Sequence, residues 1–157
     1  MTEAMRAAAI LVVVGLLEGI RQQAYREPWP LMAAIIPAGR LVRARPLGTA
    51  PDSPAALRAA MEYGALLAGL SPIAFALITS GAVLSPPGGA ALVAAVHFHP
   101  ETGARPLGLV LLEAQQDTPS LLVAEDVAAM GARLAAAFFE GSDRRRRQRY
   151  TPRLFVN

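Results

Sequence analysis

Cysteine and lysine are both absent from this 157-residue sequence. Without cysteine the chain can form no disulfide, no thiolate metal site and no cysteine nucleophile. Without lysine it has no P-loop lysine, no Schiff-base lysine and no lysine general base. All 15 basic residues are arginine, so several common catalytic chemistries are excluded before any motif is considered.

Long apolar runs are also lacking. The longest run near the start covers residues 7–17, which is eleven residues, whereas a membrane-spanning helix needs roughly 18 or more. The six residues before the run have no net side-chain charge, and no small-residue cleavage site follows it, whereas a signal peptide has a positively charged start and such a site. The sequence therefore predicts no membrane span and a cytoplasmic protein.

The formal net charge of +3 is distributed unevenly along the chain. Residues 1–140 carry nine arginines and eleven acidic residues, whereas residues 141–157 carry six arginines and one acidic residue. Apolar residues make up 54% of the chain, which is typical of a globular domain. This pattern predicts one domain over residues 1–141, followed by a basic C-terminal tail over residues 142–157.

The order of predicted elements is helix, two strands, helix, three strands, helix. Short turns between the strands favour antiparallel pairing, so the predicted class is α+β, with three helices against an antiparallel sheet of about five strands. The second helix has Ser53 as its predicted N-cap and Pro54 in its first turn. The predicted ranges are 2–25, 54–69 and 119–141 for the helices, and 31–48 (two strands), 71–85, 90–99 and 104–114 for the strands.

This element order resembles that of roadblock/LC7-type and profilin-like domains. No sequence motif accompanies the similarity, which is one of topology alone.

Two of the predicted helices have unusual faces. The first is apolar around most of its circumference, with a main stripe of Ile10, Val13, Val14, Leu17 and Ile20, so we expect it to be central in the fold or to contact another subunit. The second carries Gly64 on the face it shares with Leu57, Met61 and Ala68. Glycine inside a helix destabilises it by about 1 kcal/mol relative to alanine, so we expect close packing there.

The pentapeptide ARPLG occurs at residues 44–48 and again at residues 104–108. Each copy lies in a predicted hairpin that precedes a helix beginning with proline. A duplicated hairpin–helix unit and chance in a chain rich in these residues both remain open. In either case Pro46 and Pro106 predict edge or bulge positions in the sheet.

The only histidines, His97 and His99, lie two residues apart at the end of a predicted strand. Residues at this spacing share a face, so both rings could reach one metal ion, although no third ligand stands at a recognised spacing. We interpret the pair instead as solvent-facing residues beside the turn PETG, and we predict neither a bound metal nor a cofactor. A histidine pair at an interface is the third alternative.

The strongest functional signal is the basic tail. Its candidate partner-binding residues are Arg144, Arg145, Arg146, Arg147, Arg149, Tyr150, Leu154 and Phe155. The arginines need carboxylates or phosphates as counter-charges, and Leu154 and Phe155 supply an apolar anchor that phosphate binding alone does not require.

The predicted function is that of a non-catalytic, homo-oligomeric assembly protein whose tail docks on a neighbouring subunit or another protein. The alternative is a nucleic-acid-associated protein that uses the tail on phosphates. A small metal-dependent enzyme centred on His97 and His99 is the third reading.

Overall fold

A computed structural model describes residues 3–21, 30–37, 40–41, 44–82, 90–100, 107–113 and 125–150. Its helices are α1 (Glu3–Arg21), α2 (Pro54–Leu66) and α3 (Glu125–Tyr150), and a 3-10 turn covers Ala68–Leu70. Its strands are β1 (Leu31–Ile36), β2 (Arg40–Leu41), β3 (Arg45–Pro46), β4 (Ala74–Ala82), β5 (Ala90–Phe98) and β6 (Leu107–Glu113). The predicted class and element order are confirmed.

The strands form one antiparallel sheet in the order β2-β1-β4-β5-β6, and β3 also pairs with β1. Within the described residues, four strands have six or more residues and two have only two, where the sequence predicted about five. The second predicted strand is divided into β2 and β3. Pro46 lies in β3, at the edge of the sheet, as the sequence predicted. Pro106 lies outside the described residues.

Helices cover both faces of the sheet, which explains why residues 31–36 of β1 and 74–78 of β4 are apolar at consecutive positions. On β4, Ala74, Ala76 and Ile78 pack with α1, whereas Phe75 and Leu77 pack with α2 and α3. The same alternation places Ala94 and Val96 of β5 on the α1 side and Ala95 on the opposite side. The core therefore has two halves, one on each face of the sheet.

Among the elements that the structure describes, α1 is the helix that covers this face of the sheet. Its buried stripe is Ala9, Val13 and Leu17, which is shifted from the predicted stripe. Leu11, on the opposite side of the helix, is 71% exposed. The expectation of a central helix is therefore wrong for the single chain, because one sheet face can bury only one stripe. Contact of the outer face with another subunit stays a prediction.

Helix α2 packs against α3 through two glycines. A Cβ atom at Gly64 would lie 1.8 Å from the carbonyl oxygen of Phe138, and one at Gly141 would lie 2.1 Å from that of Met61. The close packing predicted at Gly64 is confirmed. The start of α2 also follows the prediction, because the Ser53 hydroxyl accepts a hydrogen bond from the Ala56 amide at 3.1 Å.

Candidate interaction surface and the histidine pair

Both histidines are buried between β5 and α3, and each is only 7% exposed. The expectation that they face solvent beside a turn is therefore wrong. They have the same parity along the chain as Ala95, and this parity faces α2 and α3. The prediction that both rings share one face holds, but helix α3 covers that face.

His99 binds the carboxylate of Asp143 on α3. Its Nε2 lies 3.0 Å from Oδ1 and 2.9 Å from Oδ2 of Asp143, and its ring makes an edge contact with Phe139 at 4.8 Å between centroids. Its backbone amide donates to the Ile73 carbonyl at 2.9 Å. The contact between His99 and Asp143 thus joins the end of β5 to α3, one residue before the first of the consecutive arginines.

His97 lies where α3 comes closest to the sheet. A Cβ atom at Gly131 would lie 2.8 Å from the Cβ of Ala95 and 3.1 Å from the Nε2 of His97. This buried Nε2 has no hydrogen-bond partner among the described residues. Burial lowers the pKa of His97, and a hydrogen bond with the Ala128 backbone partly offsets this effect. His97 is therefore held mainly as a neutral ring.

Both histidines make packing contacts within the fold. His99 is already bound to a carboxylate, and His97 is packed against a glycine of the covering helix. Among the residues that the structure describes, no three histidine, aspartate or glutamate side chains are grouped as metal ligands. The arrangement can fix the position of α3 on the sheet.

The arginines that were assigned to a tail continue α3. The sequence predicted that this helix ends at Gly141, but it runs to Tyr150. Gly141 lies inside the helix, where its missing side chain allows the close contact with the carbonyl group of Met61. The predicted start of this helix, the last seven residues, and with them Leu154 and Phe155, lie outside the described part of the chain.

Helical geometry separates the four consecutive arginines, Arg144, Arg145, Arg146 and Arg147. Successive residues of an α-helix are rotated by about 100°, so these side chains surround the helix instead of forming one row. Arg144 donates to Glu140 at 2.6 Å, one turn earlier. Arginines in the last turns also favour the negative end of the helix dipole. Repulsion between the arginines is thus reduced by features of the chain itself, before any other molecule binds.

A surface groove runs between α2 and the arginine-bearing part of α3. It has a volume of ≈300 Å³ and is lined by four residues of each helix. We call it the α2–α3 groove. Its lining residues are Arg58, Met61, Glu62 and Ala65 of α2, and Gly141, Arg144, Arg145 and Gln148 of α3.

Of the predicted partner-binding residues, the structure places Arg144 and Arg145 in this groove, and Arg146 and Arg147 on the same helical segment outside it. The backbone of Arg149 and Tyr150 belongs to the same helix. The sequence reasoning missed Arg58 and Glu62, as well as the role of Asp143. The spacing i, i+3, i+4, i+7 in both sets of groove residues was the available signal, because such residues share one helix face.

Comparisons with protein-family models, with curated proteins and with solved structures found no match to this chain. The similarity of element order to roadblock/LC7-type and profilin-like domains therefore stays one of topology alone. Within the described residues, no helix combines the length and the apolarity that crossing a membrane requires.

Proposed function

We propose that this protein is a non-catalytic interaction module that assembles with another protein, in the first instance with a second copy of itself. The arginine-rich end of α3 makes the contact. The observation that carries this proposal is that α3 continues as a helix through the arginines to Tyr150. A helix holds its side chains in fixed directions, so less entropy is lost on binding than with an unstructured basic segment.

Charge and exposed apolar side chains support a protein partner. Residues 1–140 carry an excess of two acidic residues, so a second copy offers an attractive surface to the basic end. Arginine is also enriched in protein interfaces. Leu11 on α1 is 71% exposed and Leu66 on α2 is 68% exposed, and such side chains can provide apolar contact area in an assembly.

A non-catalytic role and a cytoplasmic location are parts of the same proposal. The two histidines lie under α3 and are not among the residues that line the α2–α3 groove. The groove instead presents arginine, glutamate, glutamine and methionine side chains, which are suited to binding. Cell fractionation with an antibody against the protein tests the location.

Sedimentation of the native protein over a range of concentrations tests the assembly. We expect an oligomer that R146Q/R147Q weakens, because two guanidinium groups that reach a partner are lost. The control R45Q/R133Q changes the net charge equally at arginines on β3 and mid-α3, and it should leave the mass unchanged. Joint replacement of Leu154 and Phe155 by serine, in a protein that keeps its arginines, should weaken assembly more than R146Q/R147Q does. A concentration-independent monomer in the native protein contradicts self-assembly.

Nucleic-acid binding is the second candidate, and the placement of arginines on all sides of the helix end favours it. Guanidinium groups neutralise phosphates, and each neutralised phosphate adds to the salt dependence of binding. A titration with single-stranded DNA at about 50 and 200 mM salt separates the two functions. Tight, salt-sensitive binding that R146Q/R147Q abolishes, together with a monomeric protein, supports this candidate over the first.

A further inference from the structure

The α2–α3 groove combines an apolar floor with a cationic rim. Met61 and Ala65 of α2 and Gly141 of α3 supply the floor. The two helices are in close contact at Gly141, where a Cβ atom would lie 2.1 Å from the carbonyl oxygen of Met61, so this contact forms the bottom of the groove. A volume of ≈300 Å³ lies at the lower end of the range for ligand sites, which suits a small number of side chains.

The rim carries three arginines against one carboxylate. Arg58 of α2 and Arg145 of α3 are exposed, and neither has an ion-pair partner in the part of the chain that the structure describes. Arg144 already binds Glu140. Among the described residues that line the groove, Glu62 is the one with an acidic side chain. Two guanidinium groups, one on each wall, therefore remain available to a ligand.

We propose that the α2–α3 groove binds an acidic segment of a partner protein, which places an apolar side chain on the floor and carboxylates at Arg58 and Arg145. This inference rests on the proposed interaction function and adds the surface and the chemistry of the partner. Guanidinium groups bind carboxylates through paired hydrogen bonds, so arginines on both walls can hold a segment that crosses the groove.

Two features favour an acidic protein segment over a nucleic-acid backbone. A phosphate backbone makes no use of an apolar floor formed by methionine and alanine. Glu62 would also repel each phosphate, whereas a peptide can offer Glu62 a backbone amide as a hydrogen-bond donor. The groove therefore matches a chain that alternates apolar and acidic side chains.

Fluorescence polarisation tests the proposal with a labelled short peptide that alternates pairs of acidic residues with single leucines. A second peptide has serine in place of each leucine, and unlabelled single-stranded DNA serves as a competitor. We expect the leucine peptide to bind the native protein and the serine peptide to bind at least about tenfold more weakly, because an apolar side chain is lost from the floor.

Two variants on α2 change the groove and leave the sequence of α3 as it is. R58Q should weaken binding of the leucine peptide by about 3- to 10-fold, as expected for a charged hydrogen bond at a partly exposed site. A65E, which places a carboxylate on the floor, should weaken it at least as much. The matched controls are R133Q and A132E, because Arg133 and Ala132 are exposed on α3 outside the groove.

The inference is wrong if the leucine peptide does not bind, if both peptides bind equally, or if the controls lose as much affinity as the groove variants. Displacement of the labelled leucine peptide by single-stranded DNA also overturns the inference, and it assigns the groove to phosphates. Circular dichroism must show that all four variants are folded. The proposed function fails separately, through R146Q/R147Q and oligomeric mass, because Arg146 and Arg147 do not line the groove.

Discussion

Replacement of Gly64 by alanine tests the closest helix contact in the fold. The added Cβ atom would lie 1.8 Å from the carbonyl oxygen of Phe138 and 2.8 Å from its carbonyl carbon. Ordinary contact distances begin at 3.4 Å, so α2 and α3 must separate by about 1.6 Å at this point. The obstructing atoms belong to the backbone, so a change of side-chain rotamer cannot relieve the clash.

The expected cost follows from two opposing effects. Alanine stabilises a helix by about 1 kcal/mol relative to glycine. Against this, overpacking typically costs about 1–3 kcal/mol and sometimes more, and a gap of even 0.5–1 Å removes a quarter to a half of the dispersion energy at each contact. The contact between α2 and α3 includes Tyr63 and Phe138, whose ring centroids are 5.5 Å apart. We therefore expect G64A to lower the free energy of unfolding by about 2–4 kcal/mol.

Urea unfolding followed by circular dichroism measures this change. With a slope of about 2 kcal/mol per molar urea, the midpoint should fall by about 1–2 M. The control is G15A on α1, where no atom lies within 4 Å of the added Cβ. There only the propensity effect remains, and we expect stabilisation by about 0.5–1 kcal/mol. A midpoint for G64A that rises as it does for G15A would refute the close approach of α2 and α3.

Three further predictions concern stability. L17A should destabilise the protein by about 3–5 kcal/mol, because Leu17 is fully buried against the sheet, and an unchanged urea midpoint would make α1 peripheral. S53A should lower the free energy of unfolding by about 1 kcal/mol, because the hydrogen bond that caps α2 is lost. S53D should retain most of this stability in the same urea unfolding. Because the folded protein lowers the pKa of His97, the unfolded chain binds the proton more readily, so stability should be complete above about pH 6.5 and fall below it, by at most about 1.4 kcal/mol per pH unit. H97L should show a smaller loss between pH 7.5 and pH 5.5, and equal losses would contradict this role of His97.

Local chemistry allowed much of the fold to be predicted from the sequence. Ser53 followed by Pro54 marks the start of α2 because both features act within one turn. Residues 74–78 are apolar at every position, which indicates a strand covered on both faces. Gly64 inside a helix indicates a close neighbour. Each of these predictions depends on residues that are adjacent in sequence.

The errors concern residues whose partners are distant in sequence. His97 and His99 read as turn residues because the segment that buries them, including Gly131 and Asp143, follows more than thirty residues later. Gly141 read as a helix end because glycine terminates helices often, whereas here it allows contact with Met61. The groove could not be predicted because its two walls meet only after α2 and α3 pack together.

The position of α1 has a consequence for the order in which the protein can fold during synthesis. Ala9, Val13 and Leu17 are made first, yet the sheet face that buries them includes Ala94, Val96 and Phe98 of β5. At about 5–20 residues per second, the ribosome needs about 4–15 s to proceed from residue 17 to residue 94. During this interval the apolar stripe of α1 lacks much of the surface that buries it in the folded protein, so α1 can reach its native position only after β5 has been made.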